Sequence, residues 1–259
     1  MTEPAPSASA ASSRLVVGDR FADFAAAVGA AAFTALVRAL DAGDLDHVHG
    51  PVHVVAGQGI GAYAAAHLRA AIERRGLTGR VVVRHTAAAP ARRHDLHKAR
   101  EDNVLVAGLT RIDDETYEAQ LRVHDHNELL VDVQDRVHVQ GMVAIEAARQ
   151  MFLAVTERYY TSRWPQQRYY IVLNSLNTSF TNFLFPVAAT LRLTVTRADL
   201  TEPSRLAFGV TVQVEQAGRV AARVDADFAA FAPGLLEDKE LRRAKHAAAA
   251  AADAALTTA

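Results

Sequence analysis

Apolar residues recur at helical spacing from Phe21 through Phe24, Val28, Phe33 and Leu36 to Leu40, until Gly43 and the acidic stretch 41–46 end the pattern. Val52–Ala56 then reads as a short strand, Gly57–Gly61 as a turn, residues 63–75 as a helix and 80–84 as a second strand, which together make one β-α-β unit. Past Pro90 the grammar changes. Residues 103–109 and 117–123 are strand-like, and 141–160 form a long, strongly apolar helix. Five further strands are predicted over 169–173, 178–183, 188–196, 205–215 and 219–231, the last two joined by a tight Gln216-Ala217-Gly218 turn. The expected organisation is a disordered Ala/Ser/Pro lead over 1–13, an α/β module over 14–90, an α+β domain over 91–233 and an alanine-rich tail over 234–259.

Composition narrows the chemistry. The 259 residues carry 28 Lys plus Arg against 29 Asp plus Glu, a balance that argues against a nucleic-acid binder built on phosphate contacts. The chain has no cysteine, so thiolate nucleophiles and Cys-based zinc sites are excluded. No apolar run approaches the roughly 20 residues that span a bilayer. The N-terminal stretch lacks the basic and apolar regions of a secretory signal, so a soluble, cytoplasmic protein is expected. His47, His49 and His53 are the nearest thing to a metal motif, but Gly50-Pro51 breaks helical ligand spacing, and neither metal nor cofactor is expected.

The long helix holds the informative residues. Between Met142 and Val155 only Glu146, Arg149 and Gln150 interrupt the apolar run, and a helix apolar nearly all round is usually buried. Two readings of Glu146 follow. It pairs with Arg149 or Gln150 one turn on, or it is a desolvated catalytic acid whose pKa is raised by its apolar walls. Backbone N–H groups around Gly141 and Met142, at the helix start, are positioned to hold a developing oxyanion. His126, in the polar cluster 122–128, and His138, just before the helix, are the candidate bases.

Several segments resemble the A-factor biosynthesis hotdog family. They are His97-Lys98-Ala99-Arg100 with Asn103-Val104-Leu105-Val106, Asp125-His126, and the run from His138 through Gly141 and Glu146 to Gln150. Phe183-Leu184-Phe185-Pro186 and the turn 216–219 extend the likeness, which covers residues 95–232 or so. The resemblance implies a hotdog fold, a long helix wrapped by an antiparallel sheet. Hydroxyacyl carrier-protein dehydratases are similar at greater distance, sharing a glycine five residues before a catalytic acid, as Gly141 precedes Glu146. Their histidine lies 14 residues before the acid, where this chain has Asp132; His126, 20 residues before Glu146, fits the A-factor-type pattern instead.

The dehydratase likeness implies removal of the α-proton of a 3-hydroxyacyl thioester by His126, and protonation of the leaving hydroxyl by Glu146, with Arg149 beside the substrate. The A-factor likeness implies transfer of a 3-oxoacyl group to a three-carbon phosphate alcohol. The partner expected in either case is an acyl carrier protein with a phosphopantetheine-linked chain, docking on the basic residues Arg92, Arg93, Lys98 and Arg100. Because the family carries two hotdog domains per chain and this sequence has room for one, a homodimer or a heterodimer with another hotdog subunit is expected. A catalytically silent partner subunit is the reading from another class. In the front module, Gly57-Gln58-Gly59-Ile60-Gly61-Ala62 has the spacing of a dinucleotide-binding turn, but one β-α-β unit is a fraction of such a domain, which favours a packing role.

Overall fold

The computed structural model describes residues 12–48, 50–84, 88–131 and 137–257. The front of the chain runs β1 (Ser12–Val17), α1 (Ala22–Val28), β2 (Ala31–Ala32), α2 (Phe33–Ala42), β3 (Val52–Ala56), α3 (Ala62–Arg74) and β4 (Val81–Arg84). Its four strands are parallel, in the order β2-β1-β3-β4. The sequence pattern revealed β3 and β4 but not β1, whose Leu15-Val16-Val17 run is short and follows the serine-rich lead. Ser12 and Ser13 of that expected lead are in β1; the remainder of it lies outside the described residues.

The rest comprises β5 (Val106–Arg111), β6 (Thr116–Leu121), a short α4 (Glu128–Val131), α5 (Gly141–Val155), β7 (Tyr170–Phe180), β8 (Thr190–Asp199), β9 (Arg205–Gln216), β10 (Arg219–Phe231) and α6 (Glu237–Thr257). Six antiparallel strands, ordered β5-β6-β8-β9-β10-β7, wrap around α5. This is the hotdog arrangement. The expected helix to residue 160 ends as an α-helix at Val155 and closes with one π-helical turn, Thr156–Tyr160. The two strands predicted around 169–183 are one, β7, at the edge of the sheet. Asn174, Ser175 and Asn177 in its middle hid the continuity, because an edge strand open on both sides needs no apolar alternation. At the β9–β10 turn Ala217 and Gly218 both take positive φ, the geometry that matches the twist of the flanking strands.

Strand alternation decides which side chains meet α5. On β6, Tyr117, Ala119 and Leu121 are buried toward the helix, while Glu118, Gln120 and Arg122 face the opposite side of the sheet. Phe152 of α5 stacks on Phe228 of β10, which stacks in turn on Phe208 of β9. Each fully buried side chain of that size contributes ~2 kcal/mol by removal from water. The front module shares this core: Val17, Phe21, Phe24 and Ala25 belong to the same apolar cluster as α5. A second cluster, with Leu36, Leu40, Val54 and Leu68, lies within the front module alone. The tail expected after 234 is the helix α6, exposed along the part whose burial is described.

Candidate active site

Helix α5 is not sealed all round. Met142 is exposed and Ile145, Glu146 and Arg149 are half-buried, at the i, i+3, i+4, i+7 spacing of a single outward stripe. Glu146 is the centre of a dense polar cluster on it. Lys98 Nζ lies 2.6 Å from Glu146 Oε1. Arg149 donates from Nε to Oε2 at 2.8 Å and from Nη2 to Oε1 at 3.1 Å. Gln150 Nε2 donates to Oε1 at 3.0 Å, and also to the carbonyl of Asn103 at 2.8 Å, while Gln150 Oε1 accepts the N–H of Leu105 at 2.8 Å. The segment 97–105 is thereby strapped across the helix, and His97 Nε2 adds a contact to Glu157 Oε1 at 3.2 Å.

These donors decide the protonation state. Burial alone would push the Glu146 carboxyl up, but hydrogen bonds from Arg149, Lys98 and Gln150 outweigh it and hold the group below the usual carboxylate range. The raised pKa anticipated for a buried acid is therefore replaced by an ionised carboxylate. The pairing with Arg149 and Gln150 that the spacing offered is present, and Lys98 joins it from a distant part of the sequence. Lys98, expected from its sequence neighbours to belong to a docking patch, is a partner of Glu146. Arg149, assigned to substrate, gives two of its donors to Glu146.

Neither candidate histidine is hydrogen-bonded to Glu146 among the described residues. His126 is exposed and lines a shallow cleft with Asp19, Arg20 and Asp125. Its backbone N–H donates to His124 Nδ1 at 3.1 Å. His138 is exposed beside the helix start, with its ring 5.1 Å from that of Phe183. Asp132 lies outside the described residues. A Cβ at Gly141 would come within 2.8 Å of the Phe180 ring, which covers the first turn. Phe180, Phe183 and Met142 are exposed and make the mouth of the helix strongly apolar.

The basic patch is partly neutralised. Arg100 pairs with Glu128 at 2.9 Å and Asp102 at 3.3 Å, and Arg93 donates to the carbonyl of Ala99 at 2.5 Å. Arg92 and Arg93 remain exposed. Among the described residues no group of three or more His, Cys, Asp or Glu side chains could hold a metal, and no helix is long and apolar enough to cross a membrane. His49 lies outside the described residues.

The glycine turn of the front module docks against the antiparallel sheet. The N–H groups of Gly57, Gln58 and Gly59 donate to the carbonyls of Val16, Pro186 and Val123 at 2.7, 2.9 and 2.8 Å, so they are not free to cradle a pyrophosphate. Gly59, at φ +83°, packs its backbone on Gly18, where a Cβ would come within 2.6 Å of Gly18 Cα. Gln58 has a structural role that the sequence does not reveal. Its buried amide donates to Leu121 O and Val187 O, both at 3.1 Å, and accepts from Val123 N–H at 2.7 Å, closing the ends of β6 and β8. The available signal was a long polar side chain between two glycines that need close backbone contact. A cavity of about 570 Å³ opens at this seam between the two parts of the chain.

Residues 83–232 match the A-factor biosynthesis hotdog domain. Among curated proteins none matches the chain. Similar solved structures include the dehydratase heterocomplex ApeI:P from Xenorhabdus doucetiae, with 17% identity and a TM-score of 0.44, covering 59% of this chain and 96% of that one. A conserved protein from Pseudomonas aeruginosa is 16% identical, with a TM-score of 0.39 and coverage of 54% and 98%. A mutant thioesterase from the same organism is 16% identical, with a TM-score of 0.35 and coverage of 49% and 81%.

Proposed function

This chain belongs to the A-factor biosynthesis hotdog family, and from that premise we propose that it acts on a β-oxygenated acyl thioester carried by the phosphopantetheine arm of an acyl carrier protein. The observation that supports this most directly is the ionised Glu146 on the outward stripe of α5, flanked by Lys98 and Arg149 and by the apolar Met142 and Ile145. A carboxylate held in its charged form can accept a proton, more weakly the lower its pKa, and the cations beside it suit an oxyanion.

That arrangement favours acyl transfer over dehydration. The hydroxyl oxygen of an acceptor alcohol attacks the thioester carbonyl carbon while Glu146 takes the hydroxyl proton. The tetrahedral intermediate, its oxyanion facing Lys98 and Arg149, collapses with cleavage of the C–S bond. The carrier thiolate leaves and recovers the proton from Glu146. Dehydration with Glu146 as acid would require the carboxyl to be protonated, which the three donors oppose. The exposed Arg92 and Arg93 are the remaining docking candidates for the acidic carrier.

The partner in this reading is a second hotdog subunit, a copy of this chain or a relative. Strand β7 is an eleven-residue edge with exposed Tyr170, Leu173 and Phe180, a surface that strand addition would cover.

Mass spectrometry of loaded carrier protein tests the assignment. Incubation with a 3-oxoacyl carrier and a small alcohol phosphate should release free carrier thiol, and Glu146→Gln should abolish release. Loss of water from a 3-hydroxyacyl carrier, equally abolished by Glu146→Gln, would move the assignment to dehydration. Inertness toward both, with activity only after a second hotdog protein is added, would make the chain a silent partner subunit.

A further inference from the structure

The cavity at the seam is separate from the Glu146 stripe, and the proposed reaction does not use it. Its position follows from topology. In the order β2-β1-β3-β4 the chain leaves β1 toward one edge and β3 toward the other, so a crevice forms beyond the carboxyl ends of β1 and β3. Open parallel sheets place ligands at such a crevice. The turn after β3 forms one wall of the cavity, and the outer face of the antiparallel sheet forms its floor.

The floor carries two groups of polar side chains in a defined order. Gln120, Thr190 and Glu215 are register partners across β6, β8 and β9, so they form one row on one face. Arg122 stands two residues beyond Gln120 on the same face, and His124 two beyond Arg122; each step is roughly 7 Å along extended chain. The N–H of Gly59 donates to the carbonyl of Val123, which anchors the opposite wall between these two side chains.

Arg122 and His124 have donors to spare. Arg122 is largely buried; its Nη1 holds the carbonyls of Glu101 and Val104 at 2.9 and 3.0 Å, while its Nη2 is 3.8 Å from Glu101 Oε1, beyond hydrogen-bond reach. Burial pushes the His124 imidazole down, against the pull of Asp102, so the ring is neutral at pH 7. Its Nδ1 accepts the His126 N–H at 3.1 Å and lies 3.4 Å from Asp102 Oδ1, so Nε2 is the ring nitrogen without a hydrogen-bond partner among the described residues. Acceptors dominate one step away: Glu215, only 3.6 Å from Arg192 at its nearest, and the Thr190 hydroxyl. Ala88, Ala89, Pro90 and Ala188 add small apolar walls.

We propose that this cavity binds a phosphorylated sugar, with its phosphate on Arg122 and His124 and its hydroxyls on the Gln120–Thr190–Glu215 row. The separation of roughly 7 Å between the two groups matches a phosphate and the ring hydroxyls of one sugar phosphate. The volume of about 570 Å³ leaves room for a base as well. The mode differs from dinucleotide binding, since the backbone donors of residues 57–59 are spent on the carbonyls of Val16, Pro186 and Val123.

Calorimetric titration of the full chain with AMP, ribose 5-phosphate, inorganic phosphate and adenosine tests this. At least one of the first two should bind, tenfold or more tightly than phosphate or adenosine. Equal binding of AMP and ribose 5-phosphate assigns the sugar phosphate as the recognised unit; binding of AMP alone assigns a nucleotide. Arg122→Ala should weaken binding at least tenfold. Because Arg122 also secures Glu101 and Val104, Ala188→Trp provides a second test, filling the cavity from an exposed position and blocking the ligand. Overturning results are absence of binding by both sugar phosphates at millimolar concentration, inorganic phosphate binding as tightly as either, or affinity unchanged in both variants.

Discussion

Glu146 and Asp125 are both carboxylates largely withdrawn from water, and their surroundings drive them in opposite directions. Glu146, on α5, receives Lys98, Arg149 and Gln150 and is held below its ordinary value of 4.5. Asp125, at the seam, packs against Gly18 and Gly59 and accepts the backbone N–H of Arg20 at 3.1 Å; burial pushes its carboxyl up from 3.8. Burial therefore does not by itself make an acid. The number and charge of the donors reaching the carboxylate decide which proton state is native. The group with raised pKa that the sequence suggested on the helix is found at the seam, next to His126.

The largest expected effect tests the active side of this contrast. Glu146→Gln keeps the shape but removes the charge, and should lower turnover of a loaded carrier by about 10²–10⁴-fold, the usual contribution of a positioned base. A variant within threefold of the wild type would leave Glu146 only the strap that holds segment 97–105. The seam should answer instead in stability. Gly59→Ala combines an unfavourable positive φ with a clash against Gly18 and should cost about 3 kcal/mol, read as a fall in Tm of roughly 10 °C. Little change would mean that the two parts of the chain are not held by that turn.

The pH dependence separates the two carboxylates by sign. For Glu146 the folded value is the lower one. Its stabilisation is present above pH 4.5 and lost as pH falls through the depressed folded value, so urea unfolding of Glu146→Gln should show a flatter acid limb. For Asp125 the folded value is the higher one. Its ionisation opposes folding as pH rises from 3.8 through the folded value, so Asp125→Asn should be neutral to stabilising by up to about 1 kcal/mol at pH 7. A clearly less stable Asp125→Asn would show that the charge itself holds the seam. The smallest effect is expected from His126→Ala, below tenfold in turnover, since the ring is exposed and unconnected to Glu146. A loss matching Glu146→Gln would instead require the two residues to meet during turnover.

Legibility differed between elements. The helix 141–155 and the hairpin 205–231 were plain because each repeats one local rule over many residues, apolar dominance in the first and alternation around a Gly turn in the second. Strand β1 was hidden because three apolar residues, Leu15 to Val17, beside a polar lead carry too little periodicity. The pairing of Glu146 with Arg149 could be read from i+3 spacing, whereas Lys98 lies 48 residues away and enters only through the path of segment 97–105. The basic cluster 92–100 was visible as charge, but which members are neutralised depends on Glu146, Glu128 and Asp102 arriving from elsewhere.

The sequence by itself determined the elements that local periodicity encodes, the hotdog family through its motif around Gly141 and Glu146, and the exclusion of thiol chemistry. Tertiary structure alone decided the proton state of Glu146, the surroundings of His126, and the docking role of the Gly57–Gly61 turn. Those are sums over contacts between distant segments. A carboxylate's pKa and a glycine's tolerance depend on which atoms lie within a few ångströms, and no spacing along the chain supplies that.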